Sequence, residues 1–341
     1  MQPVLDLHQR PLRSLRVSVT DRCNLRCSYC MPEEEYTWLE RDHLLRFGQL
    51  TEVVRAATLA GTRRVRLTGG EPLLRRELWR LVEQLAALEL EDLALTTNGV
   101  HLADQVHALA QAGLDRVTVS LDTLRPERFK ELTRRDALEP TLAGIEAAAK
   151  VLPGRVKINT VLMAGINDDE VLELLAWARD LGCELRFIEY MDVEGATRWS
   201  QSRVLPAAEL LRRLEQAAGP IQATEASASA PARRYELATG QTFGVVASTT
   251  APFCGACDRA RLTADGHLFT CLYGTEGLDL GAPLRAGEHA PELAQRIRTA
   301  WMARTDRGAE ERLARPDREA SLTQAQTLRS APQREMHTKG G

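Results

Sequence analysis

Between residues 15 and 192 short apolar runs alternate with longer amphipathic stretches, and this rhythm predicts a chain built from β-then-α units. The strand candidates are LRVSVT (15–20), RRVRLT (63–68), DLALTTN (92–98), RVTVSL (116–121), VKINTVLM (156–163) and ELRFIEYM (184–191). Their content of Val, Ile, Leu and Thr is that of buried parallel strands. Between them, stretches such as QLTEVVRAATLAG and ELWRLVEQLAAL carry apolar residues at helical spacing, and Gly61 and Gly113 sit where helices would stop. Six such units predict an α/β fold: a parallel β/α barrel, incomplete and open on one side because eight units are needed for closure. Each candidate strand runs into a polar or glycine-containing segment: TDRCN, TGGEP, TTNG, SLD, AGIND or YMDVEG. Strand ends of this kind are where the chemistry of a barrel gathers.

After residue 192 the pattern weakens. ATEASASAPARR (223–234) reads as a surface loop, and the chain from about Arg307 is charged and weakly patterned. The division predicted is a six-unit barrel over 1–220 and a smaller C-terminal domain over 221–341. With 341 residues, 44% hydrophobic and 27% charged, the composition is that of an ordinary globular protein. No apolar run approaches the roughly 18–20 residues that cross a bilayer. The first residues have no apolar core of the secretory kind, so a cytoplasmic setting is expected. A net charge of −3 predicts no broad nucleic-acid or membrane surface but leaves room for an anionic small molecule in a local basic pocket.

Cysteine placement changes the picture most. Cys23, Cys27 and Cys30 form C-x3-C-x2-C directly after the first strand, and Cys254, Cys257 and Cys271 form C-x2-C-x13-C; Cys183 stands alone and reads as a core or strand-edge residue. In a reducing compartment clustered cysteines are metal or redox groups before they are disulfides. Three thiolates on one tight loop suit an iron–sulfur cube with one iron left open. The second triplet fits either a second cluster, again one ligand short, or a zinc site completed by His267. Beside it, Arg259-Ala260-Arg261 offers two guanidinium forks suited to a polyphosphate or to solvent. Arg16, Arg66 and Lys157 lie on strands, where a cation needs a partner; a bound anion would provide one if these side chains face the lumen. No Ser-His-Asp or paired-carboxylate constellation stands out.

SVTDRCNLRCSYCM resembles the cluster loop of the radical S-adenosylmethionine superfamily, and TGGEP at 68–72 resembles its cofactor-binding turn. The resemblance implies that Tyr29, Gly70, Ser120 and Met191 hold S-adenosylmethionine, which a reduced 4Fe-4S cluster on Cys23, Cys27 and Cys30 cleaves to a 5′-deoxyadenosyl radical. Across nearly the whole chain, LRVSVTDRCNLRCSYC, VRLTGGEPLLRR, LTTNG, VSLD, KINTV, RFIEYMD, FCGACDRARLTADG and the terminal GG are similar to the GTP 3′,8-cyclase family of molybdenum-cofactor biosynthesis. That likeness implies GTP as substrate, contacts from Arg16, Arg66, Thr96, Lys157, Arg259, Ala260 and Arg261, and a second 4Fe-4S cluster on Cys254, Cys257 and Cys271. It further implies a Gly340-Gly341 tail reaching the active site, a flavodoxin or ferredoxin as reductant, and a product passed to cyclic pyranopterin monophosphate synthase. Exposed barrel edges suit a homodimer. Two rival readings remain: a peptide-modifying radical enzyme with an auxiliary cluster, and a zinc-stabilised barrel that binds nucleotides without catalysis.

Overall fold

The computed structural model describes residues 3–224 and 229–340; part of the predicted loop 223–234 and the terminal Gly341 lie outside the described residues. All six predicted strands form: β1 (Ser14–Ser18), β2 (Arg64–Thr68), β3 (Asp92–Thr97), β4 (Arg116–Ser120), β5 (Val156–Leu162) and β6 (Glu184–Glu189). They pair in parallel, each with the next. Six further strands come from the C-terminal part: β7 (Ile221–Thr224), β8 (Arg233–Leu237), β9 (Thr242–Val246), β10 (Arg259–Leu262), β11 (His267–Phe269) and β12 (Leu278–Asp279). The sheet order is β12-β11-β10-β1-β2-β3-β4-β5-β6-β9-β8-β7. The predicted six units are therefore the middle of eight parallel strands, with β10 added beside β1 and β9 beside β6. Although the parallel strands number eight and not six, no pairing among the described residues joins β9 to β10, and the barrel stays open as expected. The C-terminal domain thus shares the barrel's own sheet.

Helices α1 (Phe47–Leu59), α2 (Leu78–Ala86), α3 (Leu102–Gln111), α4 (Pro126–Thr133), α5 (Leu138–Val151) and α6 (Val171–Asp180) alternate with the strands. In α2 the buried Leu78, Leu81, Val82 and Leu85 recur at i, i+3, i+4 and i+7, one stripe turned to the core. Each leucine is 0% exposed and contributes about 1.5–3 kcal/mol by leaving water. α1 also packs on the helix Ala290–Met302, whose Trp301 Nε1 donates to the Arg10 carbonyl at 2.9 Å. Cys183 is buried in the core.

One face of each strand departs from the continuously apolar expectation. Leu15, Val17, Val65, Leu67, Leu93, Leu95, Val117, Val119, Ile158, Leu185 and Phe187 join the core. The alternate positions turn inward and are polar, among them Arg16, Arg66, Thr96, Thr118, Asn159 and Arg186, which line the lumen. A polar inner face is costly unless it is paired or meets a ligand.

Candidate functional site

The lumen is a cavity of about 480 Å³. Strand register orders what lines it. At the strand starts lies a layer of ion pairs: Arg64 Nη2 with Asp258 Oδ2 at 2.5 Å, Arg116 with Asp92, Lys157 Nζ with Glu184 Oε1 at 3.1 Å, and Arg186 Nε with the same Glu184 oxygen at 2.7 Å. One layer further in, Arg16 stands opposite Arg66 on one side and Arg261 on the other. Here the cations have no such partners. Among the described residues no carboxylate lies within 4 Å of Arg16, Arg66, Arg259 or Arg261. Arg66 Nη1 donates to Thr96 Oγ1 and Thr118 Oγ1, both at 3.0 Å, and Arg259 stacks 4.7 Å above Phe253. Burial, then the mutual repulsion of Arg261, Arg66 and Arg259, drives the Arg16 pKa well below its ordinary range. Burial, then a like charge from Arg116, lowers Arg66 to about 10; burial, then Arg259, does the same for Arg261. The buried Arg16, Arg66 and Arg261, with Arg259 beside them, gather positive charge in the lumen that a polyanion could pair.

The cysteine triplets flank this layer at opposite strand ends. Cys23, Cys27 and Cys30 follow the end of β1. Cys254 and Cys257 precede β10, which starts level with the start of β1, and Cys271 follows β11, antiparallel to β10. About 17 Å of strand separates the two levels, five residues at ~3.3 Å each. All six thiols are free and half-buried. In the first loop the amides of Arg26 and Ser28 donate to Thr133 and Leu132, and Asn98 Nδ2 approaches Cys23 Sγ at 3.9 Å. Burial lifts Cys23 to about 11 and raises Cys27 and Cys30, so neutral thiols await a cation. Three thiols on one held loop fit an iron–sulfur cluster with an open iron.

The second triplet has the same donor count. Burial lifts Cys271 to about 11. At Cys257 burial also acts upward, but the charges of Arg259 and Arg304 outweigh it and bring that thiol down to about 7. A Cβ on Gly308 would come within 3.1 Å of Cys271 Sγ, so backbone closes over this sulfur. Among the described residues no three His, Cys, Asp or Glu side chains gather closely enough to hold a single ion. His267, the candidate fourth zinc ligand, sits 3.2 Å from Asp265 Oδ2. The three thiols match the donor count of the first triplet, and His267 is turned to Asp265.

Of the other residues singled out by the sequence, Tyr29, Ser120, Met191, Thr96, Arg16, Arg66, Arg259 and Arg261 all line the cavity. Lys157 does not: its ammonium is paired with Glu184. Ala260 is buried in the core between its two inward arginines. Gly70 is also outside the lining, and its side-chain space is filled by protein: a Cβ would meet the carbonyls of Arg22 and Asp21 at 2.3 and 2.5 Å. Glycine there lets the TGGEP turn press against the cysteine loop. Asp122, Arg186 and Asn159 were not singled out. Tyr29 Oη donates to Asp122 Oδ2 at 2.8 Å, and burial raises this carboxyl to about 6. Its signal in the sequence was the SLD strand end.

The chain's last described residues enter the lumen. Gly340 O accepts from Arg261 Nη1 at 2.6 Å and from Arg16 Nη1 at 3.4 Å, and a Cβ on Gly340 would strike Thr68 Cγ2 at 2.1 Å. His337 lies edge-on to Tyr36 and Trp38, with centroids at 5.4 and 5.8 Å. Burial, then Arg26, pushes its pKa down to about 3, while burial and Glu33 push neighbouring Glu335 up to about 7. The signs oppose. Neutral His337 supports docking above about pH 6.5, and that support fades as pH falls toward 3; protonated Glu335 supports it below about 4.5, and that support fades as pH rises through 7. In the wild type the two nearly cancel between pH 4.5 and 6.5. His337→Phe removes one arm, so tail docking in the variant is expected to weaken steadily from pH 4.5 to 7. Hydrogen exchange of the tail amides measures this, and a flat profile in the variant contradicts it.

A model of the Radical SAM superfamily matches residues 17–178, and one of Molybdenum Cofactor Synthesis C matches residues 183–310. The chain is 49% identical over 343 residues to GTP 3′,8-cyclase 1 of Mycobacterium tuberculosis (strain CDC 1551 / Oshkosh), covering 99% of this chain and 95% of that protein. It is 46% identical to the GTP 3′,8-cyclase of Acidothermus cellulolyticus, with coverage of 91% and 88%. Among solved structures, Streptococcus suis SuiB bound to S-adenosylmethionine superposes with a TM-score of 0.61 at 17% identity, over 92% of this chain and 73% of that one, a likeness of fold.

Proposed function

Since this chain belongs to the GTP 3′,8-cyclase family of radical S-adenosylmethionine enzymes, we propose a residue-level account of how its lumen serves that reaction. The protein is an enzyme of molybdenum-cofactor synthesis that acts on GTP, using S-adenosylmethionine and an iron–sulfur cluster. The product is 3′,8-cyclo-7,8-dihydroguanosine triphosphate, and the reaction class is that of a lyase. When bound, the cluster and S-adenosylmethionine would supply the 5′-deoxyadenosyl radical chemistry that takes the ribose 3′ hydrogen; after closure on guanine C8 one further electron and a proton complete the dihydro product.

Everything else falls to the chain's own residues. Cys23, Cys27 and Cys30 hold the cluster, and Tyr29, Gly70, Ser120 and Met191 hold S-adenosylmethionine at the strand ends. Arg16, Arg66, Arg259 and Arg261 take the triphosphate, with Thr96 and the Ala260 backbone beside them. Lys157 joins the set when its ammonium turns from Glu184. Cys254, Cys257 and Cys271 would hold a second 4Fe-4S cluster, which would supply a Lewis-acidic site for the guanine. The tail through Gly340 closes the lumen, keeping solvent and competing hydrogen donors from the sugar radical; Gly341, named with it from the sequence, lies outside the described residues. A flavodoxin or ferredoxin delivers the electron in the cytoplasm, cyclic pyranopterin monophosphate synthase receives the product, and the exposed sheet edges form a homodimer. The observation that carries the reading is the unpaired arginine quartet lying between two cysteine triplets.

The test is anaerobic reconstitution, iron and sulfide analysis, then incubation with reductant, S-adenosylmethionine and GTP. Equal yields of 5′-deoxyadenosine and cyclised nucleotide are expected; zinc without sulfide, or neither product, overturns the assignment. Arg261→Ala removes a charge-assisted donor worth about 1.5–3 kcal/mol, so the Kd for GTP should rise about 10- to 100-fold by isothermal titration. Binding of S-adenosylmethionine should stay within about twofold, since Arg261 lies mid-sheet, level with Arg16, and not among the strand-end residues assigned to that cofactor. Equal losses for both ligands refute the phosphate role.

A further inference from the structure

We propose that Lys339 is a positioning residue that fastens the terminal tail to the loop following Cys271, making tail docking and the second cysteine centre one mechanical unit. The proposal rests on the two-cluster reading of the site and adds Lys339, to which that reading gives no role.

Lys339 is 0% exposed, yet among the described residues it meets no carboxylate within 4 Å. Its ammonium instead donates to the carbonyls of Gly274, at 2.6 Å, and Leu272, at 3.2 Å, and lies 4.6 Å from the centre of the Phe269 ring. These partners bracket Cys271 on both sides. A lysine buried at the cost of its hydration is retained only where its donors are used. Here two of three are spent on main-chain carbonyls of a single loop, and the ring face accepts the rest of the charge.

Geometry carries the consequence into the lumen. The next residue, Gly340, presents its carbonyl to Arg261 and Arg16, while Lys339 O accepts from Arg261 Nη1 at 3.3 Å. The ammonium anchor and the arginine contact are thus consecutive links. If the 271–274 loop loses its shape, the carbonyls that hold Lys339 move, and Gly340 leaves the arginines. Upstream, Met336 N donates to Glu194 O at 2.8 Å, and Arg334 pairs bidentately with the Glu194 carboxylate, at 2.5 and 2.9 Å. That hold is independent of the second centre, so only the last turn should respond to it.

Hydrogen–deuterium exchange of the reconstituted full chain tests this on residues 337–340. Lys339→Met keeps the length and removes the donors; exchange of these amides should speed up at least about tenfold, with residues 323–334 unchanged. Cys271→Ser, which leaves the tail sequence intact, should produce the same release. For Lys339→Met, kcat for cyclised product should fall about tenfold while KM for S-adenosylmethionine holds, and Phe269→Leu should give a smaller change of the same kind. Native exchange in Lys339→Met, or in Cys271→Ser, overturns the proposal. Wild-type protein that shows the coupling but forms no cyclised product overturns the GTP reading instead.

Discussion

Cys27→Ala should abolish 5′-deoxyadenosine formation, a loss of at least about 1,000-fold, while the fold survives. Cys27 sits at the centre of the first loop, and its own carbonyl accepts from Cys30 N and Met31 N at 3.0 and 2.7 Å. Those main-chain bonds do not need the sulfur, and the loop is further tied down by Thr133 and Leu132. Alanine therefore leaves the loop in place but with two donors, too few for a cluster that must keep its fourth iron open. Burial and the neighbouring Asp122, Cys23 and Cys30 hold the thiol protonated until metal arrives, so cluster assembly here releases protons and should be faster at higher pH. Iron content should fall by about half, the second triplet retaining its share. Anaerobic iron and sulfide analysis with chromatography of the adenosine product decides the matter. Unchanged iron with full cofactor cleavage excludes Cys27 as a ligand.

Asp192→Ala should have the largest effect on stability, about 3–5 kcal/mol, the scale of leaving a buried charge unpaired. Asp192 is fully buried, and Arg318 grips both of its oxygens, at 2.6 and 2.9 Å; Arg312 approaches to 4.0 Å. The two guanidiniums also stack, Arg318 over Trp199 at 4.9 Å and Arg312 over Tyr273 at 5.5 Å. Removing the carboxylate strands both cations away from water. The melting temperature should drop by about 4–7 °C. Because Met191 precedes this aspartate and lines the cavity, S-adenosylmethionine affinity should weaken with it. Calorimetry and titration report the two effects; a shift of less than about 1 kcal/mol would falsify the clamp.

What the sequence made legible was local. The six strands and the motifs at their ends came from apolar runs and from punctuation such as TGGEP and TTNG, both readable within a dozen residues. What stayed hidden was long-range pairing. Nothing near TFGVV or RARL says that β9 and β10 flank β6 and β1, since such partners are chosen by the shape of the finished sheet. The same limit applied to charge. Lys157 looks like a free cation until Glu184 is seen beside it, and Arg312 and Arg318 look like solvated tail residues until Asp192 is found beneath them. Conversely, the arginines that meet no carboxylate among the described residues could be recognised only after every ion-paired one had been accounted for.

The placement of β9 and β10 also sets a clock during synthesis. β6 ends at Glu189, but the strand that covers the other edge, β10, ends at Leu262. At about 5–20 residues per second, the ribosome needs roughly 4–15 s to deliver the intervening stretch. Until β9 (ending at Val246) is delivered the six-stranded sheet has two bare parallel edges, and until β10 is complete the β1 edge stays bare, a state prone to pairing with another nascent chain. Slow translation across 190–262, or low chaperone supply at that moment, should therefore lower soluble yield more than the same delay placed before β1 or after β12.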